Sequence, residues 1–426
     1  MRCTTSVFIP AIALCWLATG CSDSTAPHTT TTATTAAQTA AATTFSATTL
    51  PSLAGPVSFA QGINNGGTIT GESEDAGFNL KAVVWTKGSV RSLGTLGGPI
   101  STANKINAGG AVVGASATTN GATHAFIWTS RSGAVDLGTL GGDFSSAVAI
   151  NDEGQVVGSS IDKNGVSRAF VWTAATGMRP ITGPGAQCLA TTINDLGLVA
   201  GDCTDAAGTT TGFLTSLASS VIPLVGTNVR TLASLGGQLS VVWAINDRDE
   251  IVGESTTPSG VPHAVRWSVD GAVHDLGTLA AGGSSFAYAV SDNDIIVGAA
   301  TDAAGAIHAV RWSTNGTLTD HGTAGAANSF AYGVNTAGVI VGGNVDTQGN
   351  EHAIQWGAGS SPATPIVVTV LSNGSTAASS SATTSAAVRL NLAYSPTSTS
   401  LQRLGIHAGS PSAMRVLTFG KTAAGW

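Results

Sequence analysis

An all-β fold assembled from one unit repeated seven times is what this sequence predicts, and three observations carry the prediction. First, an Ile-Asn pair or its variant recurs at Ile63-Asn64, Ile106-Asn107, Ile150-Asn151, Ile193-Asn194, Ile245-Asn246, Val290-Ser291 and Val334-Asn335, in steps of 43, 44, 43, 52, 45 and 44 residues. Second, seven residues after each pair begins comes a small or apolar residue followed by glycine: Gly71, Gly114, Gly158, Gly201, Gly253, Gly298 and Gly342. Third, an apolar run ends in Trp85, Trp128, Trp172, Trp267, Trp312 and Trp356, with a tryptophan-less TGFLT in the fourth copy. A unit of about 44 residues cannot bury both of its faces alone, so neighbours must stack. With four short strands per unit, ring closure removes the exposed sheet edges. The predicted architecture is therefore a seven-bladed β-propeller of four-stranded antiparallel blades. A β-solenoid with two coils per repeat is the alternative.

The elements follow in chain order. Arg2 supplies a positive charge, Val7 to Leu17 is a short apolar run, and small residues precede Cys21. That order reads as a secretory signal over 1–20, too short for a spanning helix. Residues 21–50 are mostly Thr and Ala, with too little large apolar surface to offset chain entropy, and read as a spacer. The propeller is expected over 51–371. Its third copy shows the logic: FSSAVAI stops at Asn151-Asp152-Glu153-Gly154, QVVGSSID at Lys163-Asn164-Gly165, and SRAFVWT at Ala174-Ala175-Thr176-Gly177, before MRPITG. Asn and Asp tolerate turn dihedrals and Gly supplies positive φ, so each break is a hairpin. The segment 361–371 is expected to complete the last blade. Residues 372–426 comprise a Ser/Thr-rich tract and a short β-rich tail with strands at Val388 to Tyr394 and Met414 to Phe419.

Composition excludes several classes. Charged residues are 10% of 426, against roughly 25% in soluble domains, and 55 glycines far exceed the usual ~7%. The formal charge of −7 leaves no basic footprint for nucleic acid. Hydrophobic content of 42% suffices for a core. After the N-terminus no apolar run approaches the ~18 residues of a membrane helix.

Leu17-Ala18-Thr19-Gly20-Cys21 resembles a bacterial lipobox, in which the cysteine thiol is acylated and becomes the mature N-terminus. Ala18 departs from the usual Leu, Val or Ile. Ser22 in place of Asp implies, by resemblance to sorted lipoproteins, the outer membrane or cell surface; plain secretion is the alternative. The repeat landmarks, with His124-Ala125-Phe126, LGTLGG at Leu93 and Leu137, and the Ile-Asn-Asp-x-Gly turn, resemble the bacterial extracellular His-Ala-Phe repeats over about residues 57–360. The resemblance implies surface location and a propeller-like fold, and carries no catalytic residues.

Candidate chemistry is sparse. His124, His263, His308 and His352 occupy one repeat position in four units, too far apart for the ~2 Å distances of a shared metal. Asp152, Asp195, Asp247 and Asp292 in the first turn, and Asp162, Asp205, Asp302 and Asp346 in the second, read as Asx-type residues capping backbone N–H groups. No G-x-S-x-G, P-loop, C-x-x-C or H-E-x-x-H is present. Neither metal nor cofactor is expected. Glu72, Asp202 and Glu254 replace small residues just after the second-strand Gly and are the candidates for acids lining a central channel. Cys188 and Cys203 flank the Asn194–Gly197 turn six residues away on either side, so a two-residue loop would set them directly opposite on neighbouring strands and a three-residue bulged loop would offset them by one. In an oxidising compartment they are expected to form a disulfide. The fourth copy's extra residues fall within 209–231.

The chain is thus expected to be a monomeric, lipid-anchored, non-catalytic binding or interaction module for a protein or glycan, touching membrane only through its anchor. A propeller hydrolase or lyase with acids near the channel, and a structural envelope role, are the alternatives.

Overall fold

The computed structural model describes residues 46–181, 185, 187–217 and 229–357, together with the strands Ile366–Leu371, Ser379–Ala382, Arg403–Ile406 and Arg415–Leu417. Residues 1–45, including Cys21, lie outside that set, as does Val388 to Tyr394. Among the described residues every regular element is a β-strand. In the third unit the strands are Gly141–Ile150, Val156–Asp162, Ser167–Thr173 and Gly177–Pro180, each antiparallel to the last. The predicted Asn, Asp and Gly breaks are where the strands turn.

Seven such four-stranded units follow one another, with first strands beginning at Ser58, Gly97, Gly141, Gln187, Ser240, Ser285 and Asn328. The fold is a β-propeller. Each unit's first strand lies against the first strands of both neighbours, so these strands surround the axis, while the fourth strands are the exposed rim. The core is correspondingly divided into buried clusters that each span a junction between units. The repeated tryptophan fills these junctions. Trp312 packs with Ala244, Val252 and Ala264 of the unit before it, and Trp356 with Ala289, Val297 and Ala309. Trp85 closes the circle against Val341 and Ala353 of the last unit.

The Ile-Asn landmark is a girdle around the axis. Each asparagine accepts an N–H from four residues on in its own turn, as Asn151 does from Gln155. Its side-chain amide donates to the next unit's backbone: Asn64 to Asn107 O, Asn107 to Asn151 O, Asn151 to Asn194 O, Asn194 to Asn246 O and Asn246 to Ser291 O, and Asn335 returns to Asn64 O, at 2.9–3.2 Å. Ser291 has no amide to give, and at that junction Asn293 Nδ2 donates to Thr336 O instead. A second belt is made by serine: the third-strand N–H of Ala82, Ala125, Ala264, Ala309 and Ala353 donates to a first-strand hydroxyl of the following unit. The last of these, Ala353 to Ser58, again joins end to beginning.

Two expectations need correction. Of the segment 361–371, the described strand Ile366–Leu371 does not complete the seventh unit. Its fourth strand is Ala47–Thr49, paired antiparallel with Glu351–Trp356, while Leu50 N donates to Ala353 O. The end of the Thr/Ala tract therefore belongs to the propeller, and a tether reaching to residue 50 is too long. Ile366–Leu371 belongs to a separate compact unit, a four-stranded sheet in which it lies between Ser379–Ala382 and Arg403–Ile406, with Arg415–Leu417 at one edge. Secondly, Asp152, Asp195, Asp247 and Asp292 do not cap their own turns. Each accepts the N–H of the preceding unit's turn (Ala108, Asp152, Asp195 and Asp247), at 2.7–3.1 Å. Asp162, Asp205, Asp302 and Asp346 do cap locally, as Asp162 does for Asn164 and Val166.

Cys188 and Cys203 are bonded, as expected, with Cα atoms 4.1 Å apart. Their direct opposition needs a bulge. The turn leaves five residues between the paired Ile193 and Val199, and one extra residue on the first strand, Thr191, restores the register to Cys188 opposite Cys203. In other units this same pair is Ser58–Ser73, Ser101–Ser116, Ser145–Ser160 and Ser240–Ser255. The disulfide is thus a covalent substitute for a serine pair. Changing both cysteines to serine is expected to leave the fold intact by circular dichroism. The cost in urea denaturation is expected to be about 3 kcal/mol, the chain-entropy value for a loop of about this length. A double variant that does not fold would rule out the equivalence. The fourth unit's extra residues lie between Thr210–Ser216 and Arg230–Thr231, its third and fourth strands.

Candidate functional site

The site grows from the second-strand glycines. At Gly71, Gly114, Gly158, Gly201, Gly253, Gly298 and Gly342 a Cβ would overlap a first-strand carbonyl oxygen, that of Phe59, Thr102, Ser146, Leu189, Val241, Phe286 and Phe330 respectively. That close approach accompanies a bulge one or two residues further along the first strand. The bulged residue is Gln61, Asn104, Val148, Thr191, Trp243, Tyr288 or Tyr332, three positions before the Asn or Ser landmark. A bulge re-aims the side chain of its extra residue. On these innermost strands the result is one bulge side chain per unit near the axis.

In units five to seven those side chains are aromatic and meet one another. Trp243 and Tyr288 lie edge to face at 5.6 Å between ring centroids, and Tyr288 and Tyr332 are tilted at 5.5 Å. Phe286 stacks on Tyr288 at 6.1 Å and Phe330 on Tyr332 at 5.8 Å. The arc Trp243–Tyr288–Tyr332 is half-buried, keeping part of its surface open.

The predicted acids stand beside this arc. Glu72, Asp202 and Glu254 are all buried, opposite first-strand Phe59, Leu189 and Val241. A fourth carboxyl joins them. Unit seven has Gly343 at the acid position, and the vacated space is filled by the carboxyl of Glu351, reaching across from the third strand. Sequence reasoning misses Glu351; a glycine at the acid position is the available signal. The acids form two pairs rather than one triad. Asp202 acts on Glu254, and Glu351 acts on Glu72, while Tyr288 feels both Glu254 and Glu351.

Desolvation dominates the electrostatics of the cluster. Burial pushes the Glu72 carboxyl up to about 8, with Glu351 adding to the push, and pushes Glu351 itself up to about 8. Asp202 rises to about 7 through burial, and Glu254 to about 7 through burial and the neighbouring Asp202 charge. Tyr288 and Tyr332 are raised far above the ordinary phenol value by burial and by these carboxylates. The Tyr332 hydroxyl bonds Glu351 and the Trp243 indole N–H leans on Glu254, while Glu351 Oε1 and both Glu72 oxygens complete no hydrogen bond. The axial cation Lys105 is held below the usual lysine value by burial and answers to Asp292, not to these four acids.

The histidines sit elsewhere. His124, His263 and His308 pair through Nδ1 with Asp136, Asp275 and Asp320 on the adjacent fourth strand, at 2.8–3.0 Å, and His352 pairs with Asp346. Three of those aspartates also cap the Gly of the following turn, at Gly138, Gly277 and Gly322. They are local ties on the outer part of each unit.

Among family models and curated proteins the chain has no match. Solved structures similar to it include a puromycin hydrolase mutant in complex with PGG (14% identity, TM-score 0.49, covering 76% of this chain and 58% of that one). Others are TolB from Acinetobacter baumannii (10%, 0.40, 68% and 63%) and the BP39L lectin from Burkholderia pseudomallei (9%, 0.39, 73% and 98%). The chain thus spans less than two thirds of the first two. The likenesses concern the fold, which here stands on the chain's own strand pairing.

Proposed function

We propose that the chain is an exported, lipid-anchored propeller serving as a non-catalytic binding module for a protein or glycan, with the axial aromatic–acid cluster as its recognition surface. The observation that carries this reading is the contact arc Trp243–Tyr288–Tyr332 lined by Glu254 and Glu351. Partly open aromatic rings beside polar groups without partners are what a preformed ligand site offers. Export is supported by the Cys188–Cys203 bond, which suits an oxidising compartment. Anchoring rests on the lipobox-like ending at Cys21, and labelling with a fatty-acid analogue in cells, lost in Cys21→Ala, is its test.

A hydrolase or lyase is the second reading, favoured by the acids near pH 7. Acid–base hydrolysis needs two carboxyls whose environments separate their protonation states. Here all four are pushed the same way, and among the described residues no cation acts on them to keep one ionised. A glycan array and a surface pull-down with wild type and Trp243→Ala discriminate. The binding reading expects capture without turnover and a loss of at least about ten-fold in the variant, the scale of one stacked aromatic. Product release from a captured ligand, abolished by Glu254→Gln, would establish the enzyme instead.

A further inference from the structure

Resting on that reading of the site, we infer that the group recognised at the axis is an organic cation, a protonated amine held by Glu254 and Glu351 against the faces of Trp243, Tyr288 and Tyr332. The argument begins with geometry. Tyr288 touches Trp243 at one ring contact and Tyr332 at another, and it feels the charge of both Glu254 and Glu351. A cation placed over aromatic rings within ~6 Å is attracted by their quadrupoles, and a neighbouring carboxylate supplies the direct charge partner.

The second strand of argument is what the acids lack. Glu72 is fully buried and neither of its oxygens has a partner; Glu351 Oε1 is also unpartnered. Buried ionisable groups are normally paired. Among the described residues, the charges that shift the four carboxyls are one another's: Lys105 of unit two feels Asp292, and Tyr288 and Tyr332 are neutral phenols. The interior therefore holds acceptor capacity with no counter-charge, on one arc formed by units four, five, six, seven and one. A neutral saccharide would satisfy the hydrogen bonds but leave that charge capacity unused; an ammonium group satisfies both.

Binding must then release protons. A cation favours the ionised carboxyls, so the apo protein, with its acids largely protonated below neutrality, gives up a proton as the amine enters. The experiment uses the full chain and three probes: n-butylammonium, tetramethylammonium and the neutral disaccharide cellobiose. Calorimetry in two buffers of different ionisation heat, at pH 6 and pH 8, reads affinity and proton release together. The expected result is butylammonium binding that tightens about ten-fold from pH 6 to pH 8 with release of about one proton near pH 7. Glu254→Gln and Glu351→Gln should each lose about ten-fold or more at pH 8 and the proton release, while Tyr332→Phe should keep most of the affinity. Far-ultraviolet circular dichroism establishes that each variant is folded. Saccharide binding that is independent of pH, with no competition from either ammonium probe, would overturn the cation inference and leave the binding function standing. Native surface partners captured equally by wild type and Trp243→Ala would remove the axial site altogether.

Discussion

Alanine in place of Gly158 is expected to destabilise the propeller by more than about 4 kcal/mol, enough to abolish the cooperative thermal transition of a marginally stable fold. The added methyl meets backbone on every side: the Ser146 carbonyl oxygen and carbon and Ala147 Cα. No side chain can swing aside, so the strand pair must separate or the bulge at Val148 must flatten. Flattening it shifts the register by one and sends the buried face of the first strand to the wrong side. Gly154, four residues earlier, is the control. It has a positive φ of 77° in a turn with open space where an added methyl would sit, so its alanine variant is expected to cost only about 1 kcal/mol. Thermal melts of the two variants side by side measure the difference. Equal melting temperatures would refute the idea that the second-strand glycine exists to admit the bulge.

Glu72→Gln is expected to stabilise the protein at pH 8 by several kcal/mol, on the order of 3–5, and to leave it nearly unchanged at pH 4. The sign follows from burial. The folded-state carboxyl titrates near 8, whereas in the unfolded chain it titrates at the ordinary value near 4.5. Below about pH 4.5 both states carry the proton and the group is neutral to stability. Between the two values the unfolded chain loses its proton and the folded one keeps it, so stability falls as pH rises. Above about 8 the penalty is complete. Asp202 and Glu254, near 7, and Glu351, near 8, act in the same direction, so wild type should be markedly more stable at pH 5 than at pH 8. Urea denaturation across pH 4–9 gives both curves. A wild-type curve that rises between pH 5 and pH 8 would contradict the burial of these acids.

The architecture was legible because the repeats carry their chemistry at fixed intervals: Asn for the girdle, Gly for the bulge, Trp for the junction. Closure was not. Ala47–Thr49 pairs through backbone alone, its side chains all exposed, and nothing distinguishes three such residues from the Thr/Ala tract before them. For the site, Glu72, Asp202 and Glu254 were readable because acids interrupt a column of small residues. Glu351 was hidden on another strand, since its carboxyl and not its Cα reaches the column. The aromatic arc escaped because bulges change which way a residue faces; only after the odd-length turns are seen to require them does the position three before each Asn become the axial one. The first-turn aspartates misled for a related reason. A turn residue normally caps its own loop, but in a ring the nearest unfilled N–H belongs to the neighbouring unit.

The clasp has a consequence in time. Ala47–Thr49 emerges from the ribosome about 300 residues before its partner Glu351–Trp356, which at roughly 5–20 residues per second is on the order of 15–60 s of synthesis. Until Glu351–Trp356 is made, the seventh sheet lacks the strand that Ala47–Thr49 pairs with, so the ring cannot be closed by this clasp. A segment of threonine and alanine, lacking large apolar side chains, is well suited to waiting, since it exposes little apolar surface to bystander chains before its matching edge exists.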